Sequence, residues 1–170
     1  MPIGGGATNT LSSNYCWGIA LDDTSVYVSA NVPAGGTIVG SVPLAGGQMT
    51  TLVGPESNAL DIAVDDTNVY WSSNGAPGTI ASVPLQGGTS VTLVQGTEPH
   101  YPVSDGTYLY WTDRDTWSSD AVFKLPLAGG SVVTVAPLQQ GGASFLTLGT
   151  HDFFWAAGDD EGTIVKLPLE

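Results

Sequence analysis

Hydrophobic and polar positions change over along the chain in short, regular bursts. Asp61-Ile62-Ala63-Val64 is followed by Asp65-Asp66-Thr67-Asn68 and then by Val69-Tyr70-Trp71-Ser72. Short apolar, β-branched or aromatic runs closed by Asp, Asn, Thr and Gly predict β-strands joined by tight turns. The aromatic run recurs as Val26-Tyr27-Val28-Ser29, Leu109-Tyr110-Trp111-Thr112 and Phe153-Phe154-Trp155-Ala156, in steps of 43, 40 and 44 residues. A second landmark keeps better time. Pro43-Leu44, Pro84-Leu85, Pro126-Leu127 and Pro168-Leu169 stand 41, 42 and 42 residues apart.

Each repeat predicts four strands. The first is short and apolar: Gly18-Ile19-Ala20-Leu21, Asp61-Ile62-Ala63-Val64, Tyr101-Pro102-Val103 and Phe145-Leu146-Thr147-Leu148. The aromatic strand comes second. The third ends at the Pro, which has no donor for an interior ladder. Ala45-Gly46-Gly47, Gln86-Gly87-Gly88 and Ala128-Gly129-Gly130 turn the chain into a Thr/Val-rich fourth strand. A four-stranded antiparallel sheet repeated about every 42 residues is the unit of a β-propeller. The reading is therefore all-β, one domain over 1–170, with blades at 12–54, 55–96, 97–140 and 141–170. Pro2-Ile3-Gly4-Gly5-Gly6 is in phase with Pro43-Leu44-Ala45-Gly46-Gly47, so 1–11 reads as an outer strand completing the last blade. That pairing would hide two open edges.

Composition narrows the partners. Three cations, Arg114, Lys124 and Lys166, face sixteen carboxylates, for a formal net charge of −13. Nucleic-acid affinity rests on neutralising phosphates, and an anionic membrane surface would repel such a chain, so neither partner is expected. Cys16 is the one cysteine, which excludes an internal disulfide and zinc spacing; its residue type predicts a small buried apolar group. No apolar run approaches the ~20 residues of a membrane span, and Met1-Pro2-Ile3-Gly4 lacks the basic start and apolar core of a signal peptide.

The run Leu109-Tyr110-Trp111-Thr112-Asp113 holds a Tyr-Trp-Thr-Asp signature. With Ile62-Ala63-Val64-Asp65 and Gly78-Thr79-Ile80, the units resemble YWTD propeller repeats and, more closely, the TolB-like and NHL-like repeats of bacterial secreted proteins. The resemblance covers the whole chain and carries fold more than function. It implies a secreted or periplasmic bacterial setting, with a leader outside this sequence; a cytoplasmic setting stays open. Single chains of that family usually close with six blades or more. Four repeats leave three assemblies open: a four-bladed monomer, a homodimer sharing one eight-bladed ring, or a piece of a longer chain.

Propellers bind ligands at the channel mouth and on loops. Aligned on the aromatic strands, Gly18, Asp61, Tyr101 and Phe145 share one column, preceded by Trp17, Leu60, His100 and Ser144. Both columns are expected to face the central opening, with Trp17, Asp61, His100 and Tyr101 as a mixed aromatic and polar pocket. The stretch after the third aromatic strand is the second candidate. Asp113, Arg114 and Trp117 combine carboxylate, guanidinium and indole, types favoured at binding hot spots and suited to stacking a sugar ring. Asp159-Asp160-Glu161 is a weak Ca²⁺ candidate without EF-hand spacing. The Asp22-Asp23 and Asp65-Asp66 pairs recur with the repeat and read as turn chemistry. No nucleophile elbow, phosphate loop or His-Glu-x-x-His run is present. The expectation is a non-enzymatic binding or scaffold propeller with a carbohydrate or protein ligand. Two alternatives stand beside it: a metal-dependent lactonase- or lyase-like enzyme using Asp61, His100 and Asn58, and a purely structural repeat.

Overall fold

The computed structural model describes residues 10–11, 13, 15–56, 58–75, 77–96, 98–116, 119–140, 142–157 and 162–169. All regular structure among them is β, in four sheets that follow chain order. The first blade contains β1 (Cys16–Leu21), β2 (Ser25–Asn31), β3 (Thr37–Pro43) and β4 (Thr50–Glu56). The second contains β5 (Ala59–Val64), β6 (Asn68–Ser73), β7 (Gly78–Pro84) and β8 (Val91–Gly96). The third contains β9 (Pro99–Ser104), β10 (Tyr108–Thr116), β11 (Ser119–Pro126) and β12 (Val133–Gln140). The fourth contains β13 (Ala143–Leu148), β14 (Asp152–Ala157) and β15 (Thr163–Pro168). Within each blade every strand pairs antiparallel with the next, as expected for propeller blades. The strand expected to complete the fourth blade, over 1–11, lies mostly outside the described residues.

The turns explain why each blade folds. In the first, Asp22 Oδ1 accepts the backbone N–H groups of Thr24 (2.7 Å) and Ser25 (2.8 Å). Asp65 does the same for Thr67 and Asn68, and Asp105 for Thr107 and Tyr108. A short carboxylate thereby satisfies donors that the reversing chain leaves free. The turns between third and fourth strands rely on Gly instead. Gly87 and Gly88 adopt φ of 80° and 130°, a region closed to most residues by the Cβ.

The core sits between blades, not within them. Side chains on a middle strand alternate between its two faces. Tyr27 shares a buried cluster with Val69 and Trp71 of the second blade. Tyr70 does so with Leu109 and Trp111 of the third, and Tyr110 with Phe153 and Trp155 of the fourth. The Tyr-Trp dipeptide thus sends the phenol toward the next blade and the indole toward the previous one. Burial of such rings removes ~150–250 Å² each from water, enough to make the blade junctions the main source of stability. Polar ties cross the same junctions. Ser29 Oγ donates to the Leu60 carbonyl and accepts the Gly18 N–H. Thr37 Oγ1 accepts the Ala59 N–H at 2.8 Å, and Ser104 Oγ donates to Asp65 Oδ2 at 3.0 Å.

Two expectations are corrected. Cys16 is exposed, not buried: it begins the inner strand of the first blade, along which Trp17, Ile19 and Leu21 are exposed as well. Asp113 and Arg114 lie within β10, not in an open loop, because β10 and β11 extend as a long hairpin with Asp113 opposite Ala121 and Arg114 opposite Asp120.

Candidate functional site: the axial concavity

Each blade presents its first strand to the centre, and each of these pairings is interrupted near its start. Register shifts fall between Cys16 and Gly18, between Ala59 and Ile62, and between Ser144 and Thr147; in the third blade the shift falls opposite, between Tyr110 and Thr112. A bulge bends the strand and re-aims the extra residue. Asp61, Tyr101 and Phe145 of the predicted column fall inside these shifts, while Gly18 keeps its pairing with Ser29. Tyr101 and Phe145 take φ of 50° and 53°, a left-handed conformation that costs a non-glycine residue roughly 1–3 kcal/mol. Gly18 answers a different need. A Cβ there would lie 2.5 Å from the Leu60 carbonyl oxygen, so the first two blades approach closely only because it has none.

Gly18, Asp61, Tyr101 and Phe145 all line one open cavity of about 400 Å³ at the centre of the blades. The Tyr101 and Phe145 rings are 5.0 Å apart at 40°. His100 continues the aromatic row, 5.6 Å from Tyr101. The preceding column behaves differently: Trp17, Leu60, His100 and Ser144 are not part of the cavity wall.

Asp61 is the charged group of the wall. Its Oδ2 accepts from His100 Nδ1 (3.0 Å), from the Tyr101 N–H (3.1 Å) and from Ser72 Oγ (3.2 Å). Burial pushes the Asp61 carboxyl up, but the hydrogen bonds from His100, the Tyr101 N–H and the Ser72 hydroxyl outweigh it and hold the acid below its ordinary range. Asp61 therefore carries its charge at neutral pH. The other ring nitrogen of His100 is 3.9 Å from Glu98 Oε1, so the imidazole lies between two carboxylates.

The remaining candidates are scattered. Trp17 stands on β1, its ring 5.1 Å from Tyr15 and its indole N–H donated to Asn31 Oδ1 at 3.1 Å. Asp113 Oδ1 accepts the Glu98 N–H at 2.7 Å, which ties β10 to the start of the third inner strand. Arg114 is placed by its backbone pairing alone, and Trp117, Asp159, Asp160 and Glu161 lie outside the described residues. Asn58 donates its carboxamide to the Asn74 carbonyl at 3.0 Å. Among the described residues no group of three His, Cys, Asp or Glu side chains is placed to hold a metal ion. Sequence reasoning left Phe145 out of the pocket, although its column was the signal that could have found it.

This arrangement of consecutive antiparallel blades about a central concavity defines a β-propeller. Solved structures agree on the fold. The designed protein Ika4 superposes with a TM-score of 0.70 at 14% identity, covering 96% of this chain and 100% of its own. A putative TolB from Agrobacterium tumefaciens gives 0.69 at 15% identity, over 86% of this chain and 58% of its own. BamB from Moraxella catarrhalis gives 0.61 at 18%, over 87% and 42%. The chain thus spans the full length of Ika4 and about half the length of the two bacterial proteins. No family model matches the sequence, and no curated protein matches it.

Proposed function

We propose that this protein is a non-enzymatic binding module whose ligand seats in the axial concavity, and that the ligand is a saccharide. The observation that carries this reading is the strained aromatic pair Tyr101 and Phe145 beside an ionised Asp61 on one cavity wall. Phe145 is exposed despite its size and its backbone cost. A hydrophobic ring held in water by a disfavoured backbone is better explained by contact with a ligand than by folding. The C–H face of a sugar would stack on the two rings, and its hydroxyls would donate to the free acceptor sites of Asp61. The anionic balance of the chain favours a neutral or cationic sugar over an acidic one.

The metal-dependent alternative draws less support. Asp61 and His100 are bonded to each other and Asn58 is bonded to Asn74, so three would-be ligands already have protein partners.

The test is a panel of neutral and amino oligosaccharides titrated against the protein by calorimetry. Phe145→Ala and Tyr101→Ala are each expected to weaken binding at least tenfold, with Phe145→Ala leaving the melting temperature nearly unchanged. Failure of the whole panel to bind the wild type, or unchanged affinity in both variants, would overturn the reading.

A further inference from the structure

The three junctions between the described blades follow one rule, and the first and last of these blades hold its unmatched halves. On the third strand of each blade one position points toward the next blade: Val39, Ile80, Val122 and Ile164. The first three are completely buried, at 0% exposure, while Ile164 is 81% exposed. On the inner strand one position points toward the previous blade: Ile19, Ile62, Pro102 and Leu146. Ile62 and Leu146 are each 8% exposed and Pro102 is buried, while Ile19 is 70% exposed and Leu21 beside it 64%.

These two columns are partners. Val39 and Ile62 belong to one buried cluster at the first junction, and Val122 and Leu146 to one cluster at the third. Ile164 and Ile19 are the same two halves, on the last blade and the first, each in water. Phe154 shares the open face of the last blade with Ile164. It stands where Tyr27, Tyr70 and Tyr110 pack at internal junctions, and Lys166 lies 5.9 Å from the centre of its ring.

On the first blade only the inner strand is open, since Val28, Ala30 and Ile38 beside it are already buried. We infer that a second copy of this chain covers that inner strand and the open face of the last blade, head to tail. The last blade of each copy would pack on the first blade of the other, with Ile164 of one copy against Ile19 of its mate. Two identical junctions of this kind are related by a twofold axis, and a head-to-tail contact that returns to its start makes a closed ring. The product is one ring of eight blades, in which Ile19, Leu21 and Ile164 meet the burial their equivalents already have. The inference stands apart from the ligand reading, because its test reads mass and cross-linking and not binding, although Ile19 also lines the cavity.

The experiment measures native mass by light scattering on the 170-residue chain, then traps the contact. The expected mass is twice the 17.4 kDa of one chain, and Ile164→Asp is expected to halve it while circular dichroism stays native. If Ile164→Asp unfolds instead, the trap decides. In a Cys16→Ser background, the chain carrying both Ile19→Cys and Ile164→Cys is oxidised with diamide. A covalent dimer from the double variant, absent from either single variant, supports the inference. A wild-type monomer, an open series of higher oligomers, or a disulfide closed within one chain would overturn it.

Discussion

The Tyr70 hydroxyl donates a 2.6 Å hydrogen bond to Asp65 Oδ2, while the other carboxylate oxygen of Asp65 holds the turn that precedes β6. The same lock joins Tyr27 to Asp22 at 2.8 Å and Tyr110 to Asp105 at 3.0 Å, always five residues back. It fastens the turn of a blade to the ring that fills the next junction. Burial pushes the Asp65 carboxyl up, but the Tyr70 hydroxyl and the Thr67 and Asn68 N–H groups outweigh it and leave the acid below its usual range. The phenol moves the other way: burial first, then the Asp65 carboxylate, raise Tyr70 well above an ordinary tyrosine. Tyr70→Phe keeps the packing and removes only the donor. A hydrogen bond to a charged group contributes about 1.5–3 kcal/mol, and Ser104 still serves Asp65, so the lower end is expected. Thermal unfolding should show a Tm lower by about 3–6 °C.

The fourth blade lacks both halves of the lock at once, with Gly149 and Phe154 at the two positions. Its turn nevertheless forms, with the Gly149 N–H bonded to the Asp152 carbonyl at 2.7 Å. Gly149→Asp combined with Phe154→Tyr is expected to raise Tm by roughly 2–4 °C, the value of about 1 kcal/mol in a chain of this size. Either change alone should give no gain, since a lone carboxylate or a lone phenol finds no partner there. A double-mutant cycle measured by calorimetry isolates the coupling.

Asp22 links stability to pH. The Thr24 N–H is the leading cause that lowers its pKa, against some desolvation and with help from Tyr27, Thr24 Oγ1 and the Ser25 N–H, to about 2. An unfolded aspartate titrates near ~3.9. The contribution is therefore complete above that value and disappears as pH falls through about 2. Tyr27 works on the alkaline side: burial and then Asp22 push it up to about 12, so its contribution is complete below ~10 and is lost as pH rises through about 12. The Tm difference between wild type and Asp22→Asn is expected to be constant from pH 5 to pH 8 and to shrink toward zero near about pH 2. An equal difference at every pH would show that Asp22 acts only through shape.

Gly18 marks the closest approach of the first two blades. An added Cβ would meet the Leu60 carbonyl at 2.5 Å and the Ile62 nitrogen at 3.0 Å, both backbone atoms with little freedom to move. Overpacking of this kind costs typically 1–3 kcal/mol. Gly18→Ala is expected to lower Tm and to speed amide exchange in β1 and β5 before the third blade is affected. Uniform loss of protection across all blades would mean that the first junction is not a separate unit.

The repeat could be read from the sequence because it is written in residue types with fixed local roles. Asp, Thr and Gly build turns from atoms within a few positions, so Asp22 and Asp65 announced their turns without any knowledge of neighbours. Strand alternation made the Tyr-Trp column visible, and its spacing set the blades. The axial column Gly18, Asp61, Tyr101 and Phe145 was legible for the same reason: one place in a repeated unit maps to one place in the ring. Which of two adjacent columns lines the cavity was not legible. That depends on the bulge in each inner strand, which moves side chains to the other face by shifting register by one, and nothing local in His100-Tyr101 or Ser144-Phe145 specifies it. The left-handed backbone at Tyr101 and Phe145, the bonding of Asp61 to His100 across two blades, and the exposure of Cys16 were likewise decided by the tertiary structure alone. So was the contrast between Ile19 and Ile62, or between Ile164 and Ile80. The same side chain at equivalent positions of the repeat is dry at an internal junction and wet on the first or last blade, because its burial depends on what packs against it.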